Sequence, residues 1–470
     1  MTRGWWKGRQ TIEIAIIAAY FAVMLTIGIA NRRKVRDADD FFVAGRKSST
    51  PFVTGSLIAT IIGGSAIMVT SQLGFSRGLS GAWWLLVGSI GLLVLAIFFA
   101  GKVRQFALYT LPELIKEQYD ERMKLASSVL IVVAWTGVIA AQIIAAGKIM
   151  GVMGIGSLEL WMAVFSLVFI AYILLGGQHA IVRTDTLQTL IIFAGIIAVL
   201  IVLMNEVGGF SGLADSLPAE QFSFPLGTDF GTYEFIGLLL LVGLTYVVGP
   251  DMYSRIFCAR DAKTAKKAAL WAALLIAPFA LGVTVIGMGA SVVFPDIAPD
   301  QAFPMVIREM LHPALAGIVL AALLCAFMSS ADTTLMSAST ILTVDIIGHF
   351  KKDMSQKQTL LLSRLGIVAL GVVSLIMALY MGSIISAILF AFTVYTGGII
   401  LPVLAGFYKD KLKVNATGAL IALIGGGSAA LVSKIWSIKY LDLAALLICA
   451  VLLFAASFLS RRIQKQTLLD

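Results

Sequence analysis

Charge, cysteine and histidine are all scarce in this sequence, and each shortage excludes something. Asp, Glu, Lys and Arg make up 13% of its 470 residues, against about 25% in soluble domains. That is too little charge to cover a water-facing surface. Three cysteines, Cys258, Cys325 and Cys449, stand far apart. They form neither a disulfide framework nor a metal-ligand spacing. Three histidines, His179, His312 and His349, are scattered likewise, so no metal chemistry is expected. There is no HExxH helix and no Walker lysine loop. The connecting segments are too short for a catalytic domain, the longest being 205–231. The chain is expected to be no enzyme and to carry no catalytic residue. Lys and Arg exceed Asp and Glu by nine, but they lie in short runs between apolar stretches. A nucleic-acid surface needs them clustered on one face.

What is abundant is apolar sequence. Hydrophobic residues make up 59% of the chain and the mean hydropathy is +0.95. A membrane span needs about 20 mostly apolar residues. Thirteen such stretches are expected: 11–30, 52–71, 82–101, 124–150, 158–176, 180–204, 232–254, 268–294, 313–345, 360–381, 385–407, 415–434 and 440–460. The first, followed by Arg32, Arg33 and Lys34, reads as a retained helix rather than a cleaved signal. The ninth is too long for one straight crossing, so it is expected to bend or to run on into a cytoplasmic helix. The pattern predicts an all-α integral membrane protein, in contact with lipid. Of the 35 Lys and Arg, 27 fall in one set of alternate loops and 8 in the other. The positive-inside rule then puts the N-terminus outside the cell membrane and the C-terminus in the cytoplasm.

Polar residues inside spans are costly and therefore informative. The second span carries Ile62-Gly63-Gly64-Ser65 at mid-membrane. Paired glycines weaken a helix and let its carbonyls face a solute, or else allow close helix packing. In the ninth span, Ala326, Ser329, Ser330, Thr333 and Ser337 share one helical face, with Asp332 at its edge. Hydroxyls plus a carboxylate suit a hard monovalent cation. The alternative reading, in which the serines bond their own backbone, leaves Asp332 unexplained.

The fifth-to-sixth span junction reads Gly176-Gly177-Gln178-His179-Ala180-Ile181-Val182-Arg183-Thr184-Asp185-Thr186-Leu187-Gln188. It resembles the signature of the sodium:solute symporter family, which includes sodium/proline, sodium/galactose, sodium/sialic acid and sodium/pantothenate carriers. The stretch from Ala326 to Asp345 is similar to that family's sodium-site helix. Gly249-Pro250-Asp251-Met252-Tyr253-Ser254-Arg255 is similar to its loop after the seventh span.

The resemblance implies a leucine-transporter-like five-plus-five inverted repeat. Residues 52–407 would form the ten-helix transport core, with 11–30 peripheral at one end and 415–460 supplying two peripheral helices at the other. It implies a main sodium site at Ala59, Ile62, Ala326, Ser329 and Ser330. It also implies a possible second cation site at Asp185, Ser329, Asp332 and Thr333, although Asp332 stands where relatives carry a hydroxyl. Asp185 has an alternative structural reading, pairing with Arg183 or with a neighbouring loop.

The substrate pocket is expected between the broken helix and its repeat partner, at Ser65, Ala66, Gln142, Thr245, Tyr246, Tyr395 and Thr396. Trp83, Trp84 and Trp135 either shape that pocket or act as interfacial anchors. Sugar carriers of the family place an acid-amide pair where this chain has Ser65 and Ala66, and a glutamine near Val394. Sialic-acid carriers place an arginine in a helix where this chain has Trp135 and Gln142. The expected function is therefore sodium-coupled symport of a small organic solute. An amino acid, a monocarboxylate or a pantothenate-like acid is expected ahead of a sugar. The alternatives are a proton-coupled carrier using Asp332, and a solute sensor, which would need a signalling domain that ten residues after the last span do not supply.

Overall fold

The computed structural model describes residues 42–152, 156–227, 229–351, 353–438 and 440–467, with short pieces of 14–26. Most of the first expected span, the loop after it, Lys352 and Lys439 lie outside the described residues, as do the side chains of His179, Ala180 and Arg183.

The described chain is all-helical. Helix α1 (Thr50–Ile61) has Pro51 in its first turn, where a missing N–H costs nothing. It is followed after a two-residue break by α2 (Gly64–Arg77). Next come α3 (Trp83–Val94), the short α4 (Leu111–Gln118), α5 (Glu121–Val152) and the helical stretch α6 (Leu158–Glu206). The second half repeats the opening. Helical residues 232–247, here α7, stop at Val248 and Gly249, and α8 (Pro250–Cys258) resumes. Then follow α9 (Ala262–Val293), α10 (Pro313–Thr340), α11 (Gln356–Met381), α12 (Ile384–Gly406), α13 (Ala416–Ile435) and α14 (Leu441–Thr467).

Ten described helices are long and apolar enough to cross a membrane, with Thr50–Ile61 and Leu158–Ala171 as shorter apolar helices. The difference from thirteen is largely one of bookkeeping along the chain. The 158–176 and 180–204 spans run as one helical stretch, yet it doubles back. Phe165 meets Phe327, while Gly195 faces Val319 and Ala322 of the same helix, α10. A straight helix would hold residues 165 and 195 about 45 Å apart. The ninth span runs on past its apolar stretch. It stays helical to Phe350, widening into a π turn at Ile341–Ile347.

Helix α10 lies at the centre, with 83% of its most apolar window buried, packed between α5, α6 and the broken pair α1–α2. The outer helices α11 and α14 turn Val373, Leu447 and Val451 outward. In a membrane protein such faces meet lipid. On one side of the bundle, Ser48 N donates to Cys258 O and Arg260 N to Ser48 O, both at 3.0 Å. The strand-like bridge they form clasps the approach to α1 onto the end of α8.

Candidate functional site

The break between α1 and α2 comes from two glycines that α10 crowds. A Cβ on Gly63 would stand 2.2 Å from Ser330 Oγ, and one on Gly64 2.1 Å from the Phe327 ring. Gly63 has φ −54° and ψ 152°, so close approach, not a left-handed backbone, is what requires glycine here. Both readings of the glycine pair hold at once, since close packing and helix interruption coincide.

The break frees carbonyls. In an unbroken helix Ala66 N would donate to Ile62 O; here it donates to Gly63 O at 2.8 Å. Ser329 Oγ lies 3.3 Å from Ala59 O and 3.2 Å from Ala326 O. Ser330 Oγ lies 3.3 Å from Ala59 O and 3.2 Å from Thr60 O. All of these residues are buried. The structure thus brings Ala59, Ala326, Ser329 and Ser330 together and leaves Ile62 at the mouth of the break. The donor set is wholly oxygen and carries no formal charge. A hydroxyl that donates to a carbonyl can rotate its hydrogen away and offer a lone pair, so the arrangement fits a hard monovalent cation.

One helical turn further along α10 the arrangement changes character. Asp185 Oδ2 accepts Ser56 Oγ at 2.5 Å and Arg255 Nη2 at 3.4 Å. The same Nη2 donates to Thr333 Oγ1, whose own hydroxyl donates to Ser329 O at 2.7 Å. Arg255 is 0% and Asp185 1% exposed. The guanidinium therefore stands between Asp185 and Thr333, where a second small cation was expected. Asp332 is buried and in electrostatic reach of Asp185 and Arg255, and its Oδ1 has no hydrogen-bond partner among the described residues.

Arg255 is the buried member of this cluster that sequence reasoning missed. It was counted among loop charges, although Ile256-Phe257-Cys258 directly after it marked an apolar setting. Lys124 was counted the same way. It reaches the buried Asp345 at 3.0 Å, joining the start of α5 to the π turn after α10.

The expected substrate residues form two groups with one outlier. Gln142 Nε2 donates to Ser65 Oγ at 2.7 Å, beside the Gly63 break, with Ala66 next in α2 adding no polar group. Thr245 Oγ1 and Thr396 Oγ1 stand 3.2 Å apart, and both donate to Leu241 O, at 2.9 and 3.0 Å. Tyr395 OH donates to Val248 O at the second break, its ring edge-on to Trp135 at 4.7 Å. Tyr246 is the outlier, its ring lying over Gly88 of α3. Trp83 does not line this region. It donates to Pro225 O at 2.9 Å and stacks on Phe224.

A Gly-x-Ser-x-Gly string, Gly74 to Gly78, was overlooked in the sequence and is no nucleophile elbow. It ends helix α2, and Ser76 Oγ donates to Gln72 O at 3.1 Å.

Two cavities flank the site. On the side of the 205–231 loop, one of about 230 Å³ is bounded by Leu73, Trp84, Phe230, Leu241 and Leu389. On the side of the Ser48–Cys258 clasp, only about 10 Å³ remains, between Phe42, Tyr109, Ser254 and Ser337.

Comparison with known proteins agrees with this architecture. An osmoregulated proline transporter of Bacillus subtilis (strain 168) is 26% identical over 445 residues, covering 90% of this chain and 89% of its own length. A sodium/glucose cotransporter of Vibrio parahaemolyticus is 27% identical, covering 91% and 86%. The sodium/pantothenate symporter of Escherichia coli (strain K12) is 25% identical, covering 92% of each. A solved structure of a Na+-coupled sialic acid symporter, substrate-bound and outward-open, superposes with a TM-score of 0.82. It does so at 19% identity over 95% of this chain and 98% of its own. The fold is thus that of leucine-transporter-like carriers. The model of the sodium:solute symporter family matches residues 41–426. This chain belongs to that family, and is an integral membrane transporter rather than an enzyme.

Proposed function

We propose that this protein is a sodium-coupled symporter of a small, carboxylate-bearing organic solute: an amino acid, a monocarboxylate or a pantothenate-like acid. The observation that carries the reading is the pair Ser329 and Ser330, seated on the carbonyls of a helix that two glycines interrupt. Sodium enters this reading as a transported substrate, held by Ala59, Ile62, Ala326, Ser329 and Ser330. The solute sits between the two broken helices, near Ser65, Ala66, Gln142, Thr245, Tyr395 and Thr396, with Tyr246 at the edge. Small hydroxyls and one amide there suit a compact solute better than a polyol, which needs many directed partners. Relatives named for proline, pantothenate and glucose span several solute classes, so the class rests on the pocket.

The unit 52–407 is read as the transport core, and the matching breaks in α1–α2 and α7–α8 support a pair of repeats. The 205–231 side is read as external and the clasped side as cytoplasmic. A wide outer cavity against a closed inner one favours an outward-facing arrangement.

A second reading, proton coupling through Asp332, is favoured by one observation. Arg255 already stands between Asp185 and Thr333, while Asp332 Oδ1 has no hydrogen-bond partner among the described residues. A thermal-shift screen of organic solutes in sodium against potassium tests the first reading. Stabilisation by a carboxylate-bearing solute in sodium alone is expected; stabilisation by sugars instead would overturn it. Asp332→Asn then separates the two couplings. A second cation predicts weaker sodium cooperativity, and a proton predicts a flattened pH profile with sodium activation intact.

A further inference from the structure

We propose that the clasp-side ends of α3 and α9 form a binding site for an anionic phospholipid headgroup, with Lys102, Arg104 and Lys266 as its phosphate-binding groups. Past Val94, α3 continues helically to Gln105, and its last turns lie against α9. Residues 101–106 and 259–267 hold six bases, Lys102, Arg104, Arg260, Lys263, Lys266 and Lys267, against one acid, Asp261. That acid is engaged locally. It accepts Thr264 N at 2.7 Å, capping α9, and faces Arg260 Nε at 3.5 Å. Among the described residues no carboxylate stands within ion-pair distance of the other five bases. Asp261 and Arg46 are both in electrostatic reach of Arg104, so Arg46 offsets what Asp261 supplies there.

The bases converge because a glycine admits one of them. A Cβ at Gly101 would run into Lys266 Cε, so the lysine stem lies across α3 beside Lys102. Lys102 Nζ is 3.3 Å from Tyr408 OH and 4.7 Å from the centre of that ring. Arg104 donates through Nε to Ala259 O, and through Nη2 to Arg260 O at 3.4 Å. Carbonyl and phenol partners fix these cations in place and leave their charge uncompensated. About one helical turn into the apolar zone the surface changes character. Phe98, four residues before Lys102, and Trp271, four after Lys267, are both more than half exposed, with Leu274 beside Trp271. Long basic side chains whose stems adjoin an apolar face reach the headgroup level, where basic pockets between helices take anionic headgroups. Ammonium and guanidinium bind phosphate through charge-assisted hydrogen bonds, while Phe98 and Trp271 offer contact to acyl chains. A free phosphate would gain nothing from those apolar groups. Arg260 also carries the clasp, since its N donates to Ser48 O at 3.0 Å. A bound headgroup would therefore relieve repulsion among the bases where that clasp closes.

Trp271 serves as the reporter. The purified full chain is reconstituted in phosphatidylcholine bilayers containing a small fraction of chain-brominated phosphatidylglycerol, or the same fraction of chain-brominated phosphatidylcholine. Bromine quenches tryptophan on contact, and the Trp271 signal is the difference between each protein and its Trp271→Phe counterpart. Brominated phosphatidylglycerol is expected to quench Trp271 severalfold more than brominated phosphatidylcholine. Lys102→Gln/Lys266→Gln should remove the preference and Lys102→Arg/Lys266→Arg should keep it. Arg122→Gln/Lys357→Gln, which removes two exposed bases elsewhere, should also keep it. Equal quenching by the two lipids in the native chain, or a preference that survives Lys102→Gln/Lys266→Gln, would overturn the site. So would a preference lost equally in Arg122→Gln/Lys357→Gln, which would mean bulk charge alone, or one abolished by excess inorganic phosphate, which would mean a site for the free anion.

Discussion

Ser329 and Ser330 each touch two carbonyl oxygens within 3.3 Å, so neither is spare. A hydrogen-bonding or ligating oxygen facing a charge is worth about 1.5–3 kcal/mol, or roughly tenfold to a hundredfold in affinity. Ser330→Ala is expected to raise the sodium concentration for half-maximal uptake by at least about tenfold. Unchanged sodium activation in the Ser329→Ala/Ser330→Ala double variant would remove this site. Arg255 follows different arithmetic. Removing one partner of a buried ion pair costs about 3–5 kcal/mol, because the other charge is left stranded. Arg255→Gln should therefore lower the melting temperature sharply, and adding Asp185→Asn should recover much of the loss. A double variant as unstable as the sum of the singles would mean that the two side chains act independently. At this scale the sequence was legible where a residue's type alone implies its role, as with the adjacent serines. It was not legible where a long side chain chooses its partner. Asp185 pairs with Arg255, 70 positions away, and no local pattern encodes that choice.

The helices themselves were easier to read, because apolar runs and glycine or proline punctuation are local signals. The first interruption is legible in Gly63-Gly64; the second, at Val248 and Gly249, falls inside the stretch 232–254 that was expected as one span. What remained hidden was the fold-back of α6, where helical geometry is maintained through a stretch expected to be a loop. Gly64 offers a test of the crowding at the break. A Cβ there meets the Phe327 ring, and overpacking costs about 1–3 kcal/mol. Gly64→Ala should lower thermal stability, whereas Gly237→Ala, where a Cβ meets nothing within 4 Å, should leave it unchanged or raise it. A stable Gly64→Ala protein would show that α10 is not seated tightly on the break.

At the scale of the whole molecule, alternating access needs one side open while the other is shut. The Ser48–Cys258 and Arg260–Ser48 bonds, with Arg104 donating to Ala259 O and Arg46 to Leu108 O, gather three segments, 46–48, 104–108 and 258–260, over the smaller cavity. In the orientation proposed from the loop charges, that side is the cytoplasmic one. In intact cells, a cysteine at the exposed Ser216 should react with an impermeant thiol reagent, and one at the exposed Lys357 should not; the opposite pattern would invert the orientation. The central claim is coupling of solute movement to sodium through the α10 serines. It is tested most directly by solute uptake into proteoliposomes under an inward sodium gradient, at fixed pH and with potassium as the control cation. The account predicts concentrative uptake of a carboxylate-bearing solute that collapses with the gradient and is lost in the Ser329→Ala/Ser330→Ala variant. Equal uptake in sodium and potassium, or concentrative sodium-driven uptake undiminished in that variant, would contradict it.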